Sequence, residues 1–181
     1  AVLICLGFSG RSQVIINEYS AANLSSFTDN FGSYEDWIEL YNAGSTAVNL
    51  NGYHLSDKKT NLAKWTIGSV NIAAGGFVRV WASGRDIATG TLHTNFSVKQ
   101  CKPDIIILSD PSSVVLDSMT LKRTQVGHSR GRTTNGAATW SVFMNPTPNT
   151  SNNTATAYQE YATTPSMNKV AGFYAGAQVV S

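Results

Sequence analysis

Apolar residues in this chain come in short runs with a period of two, broken at intervals by Gly, Pro, Asn, Asp and Ser. Residues 34–42 (YEDWIELYN) show the pattern most clearly: Ile38 and Leu40 project to one side, Trp37, Glu39 and Tyr41 to the other. Asn42-Ala43-Gly44-Ser45 stops the run with turn chemistry. Before it, residues 13–19 (QVIINEY) are β-branched and read as a first strand, and 20–33 as a long polar loop. After it come a short extended piece at 47–50, a tight turn at Asn51-Gly52, strands at 53–56 and 64–67, and a charged turn at 57–61. Residues 72–76 turn the chain into 77–82 (FVRVWA), with Phe77 and Arg79 on one side and Val78 and Val80 on the other. Residues 92–96 read as semi-extended, 105–108 as a fully apolar strand and 114–121 as the last strong strand. Residues 127–136 are basic and glycine-rich, and 138–143 predict a final edge strand, ended by Pro146 and Pro148.

The chain contains neither a long amphipathic helical stretch nor an internal repeat. About seven to nine short strands with regularly spaced turns predict an all-β, immunoglobulin-like β-sandwich. The domain runs over residues 13–150. Residues 151–163 are rich in Thr, Asn and Ser and read as a linker, and the apolar residues 164–181 as the truncated start of a second β-sandwich module of a longer protein. Residues 1–12, an apolar run followed by small residues, read as the remnant of a secretory signal peptide cleaved before Gln13.

Composition sharpens this. Only 13% of residues are charged and the formal net charge is +2, too small by itself to imply a nucleic-acid or membrane partner. The apolar runs are too short for a membrane span. Of two cysteines, Cys5 lies in the leader, so Cys101 alone remains, which excludes an intramolecular disulfide and a thiolate zinc site in the mature chain.

Candidate chemistry is sparse. Three histidines (His54, His93, His128) accompany many serines, but no serine stands in a Gly-x-Ser-x-Gly elbow, so catalysis by this chain is not expected. His54 reads as a strand-surface residue, and His93 as a half-buried imidazole satisfied by a loop backbone. Carboxylates concentrate before residue 60. Glu18, Asp29, Asp36 and Glu39 are candidate oxygen ligands, with calcium the one cofactor to consider, although their spacing matches no calcium loop. The favoured alternative is that Glu18 and Glu39, on neighbouring strands, accept structural hydrogen bonds. Basic residues cluster late. Lys122, Arg123, Arg130 and Arg132, with Trp37 and Tyr41, are the candidate partner-binding surface. Trp37, Tyr41, Trp65, Trp81 and Trp140 include enough aromatics for a carbohydrate platform, but Trp in a sandwich more often packs in the core.

Ordered blocks then identify the chain by resemblance. Ile16-Asn17-Glu18, Asp36-Trp37-Ile38-Glu39-Leu40-Tyr41-Asn42, Gly52-Tyr53-His54-Leu55-Ser56-Asp57 and Ile72-Ala73-Ala74-Gly75-Gly76 resemble successive blocks of the lamin-tail domain family. Leu92-His93-Thr94-Asn95-Phe96, Asp117-Ser118, Gly127-His128-Ser129-Arg130-Gly131-Arg132 and Pro146-Thr147-Pro148-Asn149 continue the order. Lys99-Gln100-Cys101-Lys102-Pro103 departs from the small turn of many bacterial members. The resemblance implies an immunoglobulin-like fold and, in its bacterial form, a secreted or cell-surface module joined to other domains. Residues 164–181, with Gly172-Phe173-Tyr174, are similar to the start of a chitobiase C-terminal-type module. The expectation is a non-catalytic, monomeric binding or architectural module within a longer extracellular protein, its partner a protein or glycan rather than nucleic acid. The alternatives are a calcium- or carbohydrate-binding accessory domain of a hydrolase, or a nuclease-associated module whose catalytic domain lies elsewhere.

Overall fold

The structure, a computed structural model, describes residues 13–100 and 104–162. In chain order the strands are β1 (Val14–Ser20), β2 (Trp37–Asn42), β3 (Val48–Asn49), β4 (His54–Ser56), β5 (Trp65–Thr66), β6 (Asn71–Ile72), β7 (Phe77–Trp81), β8 (Leu92–His93), β9 (Ile105–Ser109), β10 (Val115–Thr120), β11 (Ser129–Arg132) and β12 (Trp140–Phe143). They form a six-stranded sheet ordered β12-β11-β1-β2-β7-β8, a four-stranded sheet ordered β10-β9-β4-β5, and the two-stranded pair β3-β6. The predicted all-β, immunoglobulin-like sandwich is the fold.

Alternation decides which side chains meet. Ile16, Ile38, Leu40 and Val80 from the large sheet pack with Leu55, Trp65, Ile106 and Leu108 from the second sheet, all buried. Each fully buried aliphatic side chain contributes about 1.5–3 kcal/mol relative to leaving it in water, so this layer is the main apolar support of the fold. In β1 the alternation breaks. Ile16 lies opposite Leu40 but Glu18 lies opposite Glu39, leaving Asn17 as an extra, bulged residue. The bulge lets both Ile16 and Tyr19 join the core. The side chains of Asn17 and Glu18 both bond to groups outside that core.

Three expectations change. The glycine-rich basic stretch expected after residue 127 contains β11, which lies between β1 and β12. Gly131 makes this placement possible, since a Cβ there would stand 2.8 Å from Asn152 Nδ2 and 3.0 Å from both Glu18 Cγ and Phe143 Cε2. Leu92–His93 is not merely semi-extended but pairs in parallel with β7. The segment expected as a linker, residues 151–163, is docked as far as it is described. Asn152–Thr154 forms a 3-10 turn with Asn152 fully buried, and Tyr158 exchanges backbone hydrogen bonds with Val142 of β12 (2.7 and 2.9 Å). Its polarity does not keep it in water because its polar groups find partners in the fold. The signal segment, Cys5, Cys101 and the second-module segment after residue 163 lie outside the described residues.

Candidate functional site

On the face of the large sheet away from the core, the bulge in β1 brings Glu18 and Glu39 together on adjacent strands, both fully buried. They are covered by a polar strap, residues 145–154. Glu18 accepts hydrogen bonds from Ser129 Oγ of β11, from the Thr147 amide (3.0 Å) and from Thr147 Oγ1 (2.7 Å). Glu39 accepts from Asn17 Nδ2 (3.1 Å) and from the Asn149 amide (2.5 Å). Asn152 completes the seam, donating to the Arg132 carbonyl (2.8 Å) and accepting from Asn17 Nδ2 (3.4 Å), while its Oδ1 lies 2.9 Å from Thr147 Oγ1 and shares that hydroxyl's single proton with Glu18.

The electrostatics follow from that burial. Removal from water pushes the Glu39 carboxyl up to about 8, the neighbouring Glu18 adds to the rise, and the bonds from Asn17 and Asn149 with the charge of Arg79 only partly offset it. Burial raises Glu18 as well, against its bonds to Ser129 and Thr147. Burial beside Glu18 therefore favours the protonated form of Glu39. A raised carboxyl is a frequent mark of an acid catalyst, but this one is sealed under the strap, and its bonding partners are the strap and the bulge. It acts as a latch.

A second cluster fixes the loop at 27–35. Arg85 Nη1 bonds Asp29 Oδ2 (2.7 Å) and Glu35 Oε1 (3.0 Å), Nη2 bonds Ser33 Oγ (3.0 Å), and the guanidinium lies 4.8 Å from the Phe31 ring. Burial acts to raise Asp29, but the amides of Ser33 and Phe31 and the Arg85 charge outweigh it and hold the carboxyl below its usual range. Beside it, His93 is fully buried, with Nδ1 2.9 Å from Ser83 Oγ and Nε2 2.8 Å from Asn30 Oδ1. An amide oxygen only accepts, so Nε2 carries the proton and Nδ1 accepts from Ser83. Burial lowers the His93 pKa, with Asp29 opposing and Arg85 assisting, which favours the neutral ring. The order Ser–His–Asn resembles a hydrolytic triad, but the imidazole lies beneath Phe31 (ring centroids 5.5 Å apart) and joins three chain segments. His93 is satisfied by side chains, not by the loop backbone expected.

The four candidate metal ligands do not converge. Glu18 and Glu39 are adjacent, Asp29 belongs to Arg85, and Asp36 accepts from the Asn23 amide (3.1 Å) in a different place. No group of three or more His, Cys, Asp or Glu among the described residues could hold a metal ion. The proposed binding surface divides too. Trp37 is fully buried opposite Trp81, with Phe27 edge-on at 6.4 Å, so it is not partner-facing. Tyr41 is half-buried, 5.0 Å from Phe77. Arg130 is buried and bonds the Arg123 carbonyl (2.9 and 3.1 Å) and Glu160. Arg132 joins the two sheets by bonding the Ile16 carbonyl (2.8 Å) and Asp117 (2.7 Å). Both arginines are internal ties because their donors reach carbonyls and carboxylates of neighbouring elements. Only Lys122 and Arg123 of the basic four are exposed. His54, expected at a strand surface, is also buried, with Nδ1 2.9 Å from Thr66 Oγ1.

Sequence reasoning missed Asn17, Asn149 and Asn152 as seam residues. The available signal was the Pro146-Thr147-Pro148-Asn149 block, read there as the domain's end and as the last block of the resemblance but not as a cover over β1 and β2. A family model described as the Lamin Tail Domain matches residues 8–123, more than half of the chain. No curated protein matches it.

Proposed function

Because the chain belongs to the lamin tail domain family, a family of non-catalytic immunoglobulin-like modules, we propose that it serves as a protein-binding or architectural module of a larger secreted or cell-surface protein. The observation that carries this reading is the employment of its buried carboxylates: Glu18, Glu39 and Asp29 all hold a strap or loop onto the sheet. Groups that an enzyme would present to a substrate are spent here on making one rigid surface. In the same proposal, residues 1–12 derive from a secretory signal, and residues 164–181 begin a second β-sandwich module of chitobiase C-terminal type. The apolar-then-small pattern of the first and the Gly172-Phe173-Tyr174 run of the second support those assignments.

The test is a survey of the whole chain. Calorimetry with calcium, binding to duplex DNA at low salt, binding to oligosaccharides, and hydrolysis of phosphodiester and glycoside substrates should all be flat. Cross-linking of the full protein on its native surface should join it to another polypeptide. Turnover by the chain, or a calcium-dependent rise in melting temperature, overturns this reading. So does DNA binding that weakens steeply with salt.

A further inference from the structure

Away from the strap, where the loop after β1 passes the segment leading to β11, a pocket of about 290 Å³ is floored by Ala21 and Ala22 and walled by Leu24 and Val126, with Asp36 inside it. Leu24 is 64% exposed and Val126 is 56% exposed, whereas the alanines beneath them are buried. Two protruding aliphatic side chains over an apolar floor are costly in water and typical of a surface that a partner covers. The carboxylate is the unusual part. Asp36 Oδ1 accepts the Asn23 amide at 3.1 Å, and no cation among the described residues pairs with it. Carboxylates removed from water are ordinarily paired or well supplied with donors. Asp29 and Asp117 each have an arginine, Glu18 and Glu39 accept three and two hydrogen bonds, and among the described residues Asp36 accepts only the Asn23 amide.

We infer that this pocket receives a lysine or arginine side chain of a protein partner, the aliphatic stem lying along Leu24 and Val126 and the cationic head meeting Asp36. The shape suits such an occupant because long cationic side chains combine an apolar stem with a terminal donor. A small metal ion would leave the apolar walls exposed, and a purely apolar side chain would leave the carboxylate unpaired. This deepens the protein-binding reading proposed above and rests on it.

The charged neighbours define how the pocket responds to pH. Burial pushes Asp36 up to about 6; the Asn23 amide opposes the rise, and Glu35, itself held by Arg85, adds to it. Lys99 stands at the exposed rim as a competing cation, its amide bonded to Asp104 Oδ2 at 3.1 Å. Binding should therefore strengthen as pH rises from 5 to 7 and Asp36 ionises.

The experiment titrates the whole isotope-labelled chain with the blocked tripeptides acetyl-Gly-Lys-Gly-amide and acetyl-Gly-Arg-Gly-amide, and with norleucine and glutamate counterparts, followed by amide chemical shifts. The cationic peptides should perturb Ala22, Leu24, Asp36 and Val126. Norleucine should bind at least about fivefold more weakly, the loss of roughly 1 kcal/mol of charge pairing. Asp36→Asn keeps an oxygen for the Asn23 amide and so keeps the fold, but should abolish the preference for cations. Leu24→Ser, at an exposed site, should weaken every apolar stem, and Lys99→Gln should strengthen cation binding. Equal response to lysine and norleucine, insensitivity to Asp36→Asn, or no shifts at millimolar peptide overturns the inference. Those failures leave the binding-module reading standing, since cross-linking elsewhere on the surface would still support it; hydrolysis or calcium binding would remove that broader reading instead.

Discussion

Gly131 shows how much one missing methyl group controls. Its Cα is approached by Glu18 from β1, Phe143 from β12 and Asn152 from the strap, each at 3.0 Å or less from where a Cβ would sit. Phe143 and Asn152 are both fully buried, so neither can move aside cheaply. Gly131→Ala should therefore destabilise the protein by about 1–3 kcal/mol, the usual cost of overpacking, measurable as a fall in denaturation midpoint at unchanged m-value. Gly136→Ala is not an equivalent control, because its φ of 73° adds backbone strain of its own. At this scale the sequence said least. Ile38 and Leu40 were readable as core from alternation alone, and both are buried. For Trp37, on the opposite side of the same strand, residue type pointed to burial but alternation left it packed or partner-facing, because alternation reports sidedness and not what covers the second side. The same blindness made Arg130 and Arg132 look like a surface when their heads are drawn inward to carbonyls and carboxylates.

The strap is where element-level reading failed for a physical reason. A run such as NTSNNTATA carries no hydrophobic signal, and low hydropathy ordinarily means that ordering entropy goes uncompensated. Here the compensation comes from hydrogen bonds to two carboxylates and a bulged asparagine, groups more than a hundred residues away in sequence. The strands were readable because their information is local; the strap was not, because its information lies in β1 and β2. Asn152→Ala strips the Arg132 carbonyl of the Asn152 amide, while Thr147 Oγ1 keeps Glu18 and Asn17 Nδ2 keeps Glu39 and Asn135. The loss should be about 1–3 kcal/mol for a buried polar group stripped of partners. The location of the effect separates a seam from a general loss of stability. Amide exchange at Thr147 and Asn149 should accelerate well beyond that of Leu40, which should change only as far as global stability does.

The whole molecule stores its polar ties in a way that stability against pH can read. Three carboxyls have folded pKa values above their ordinary ones: Glu39 at about 8, Asp36 at about 6, and Glu18 raised. Such groups bind protons more tightly folded than unfolded, so their stabilisation is complete below pH 4 and is lost as pH climbs through the folded values. Glu160, held near 2 by its bonds to Arg130, and Asp29, held low by Ser33, Phe31 and Arg85, work the other way. Their contribution is present above about pH 4.5 and disappears on acidification; for Glu160 it is small because that side chain is 45% exposed. His93, lowered by burial, adds one further opposing proton below pH 6.5. Two to three protons therefore outweigh one across the mildly acidic range, and above 6.5 only the raised carboxyls remain. Melting temperature should peak near pH 4.5–5 and decline continuously to about pH 8, each titrating carboxyl contributing a slope of at most about 1.4 kcal/mol per pH unit. Glu39→Gln retains an amide oxygen for the Asn149 N–H while removing the titration. It should flatten the decline between pH 6 and 8 and leave the acid limb as it was. A decline unchanged in that variant would mean that the carboxylate under the strap does not govern the alkaline side of the profile.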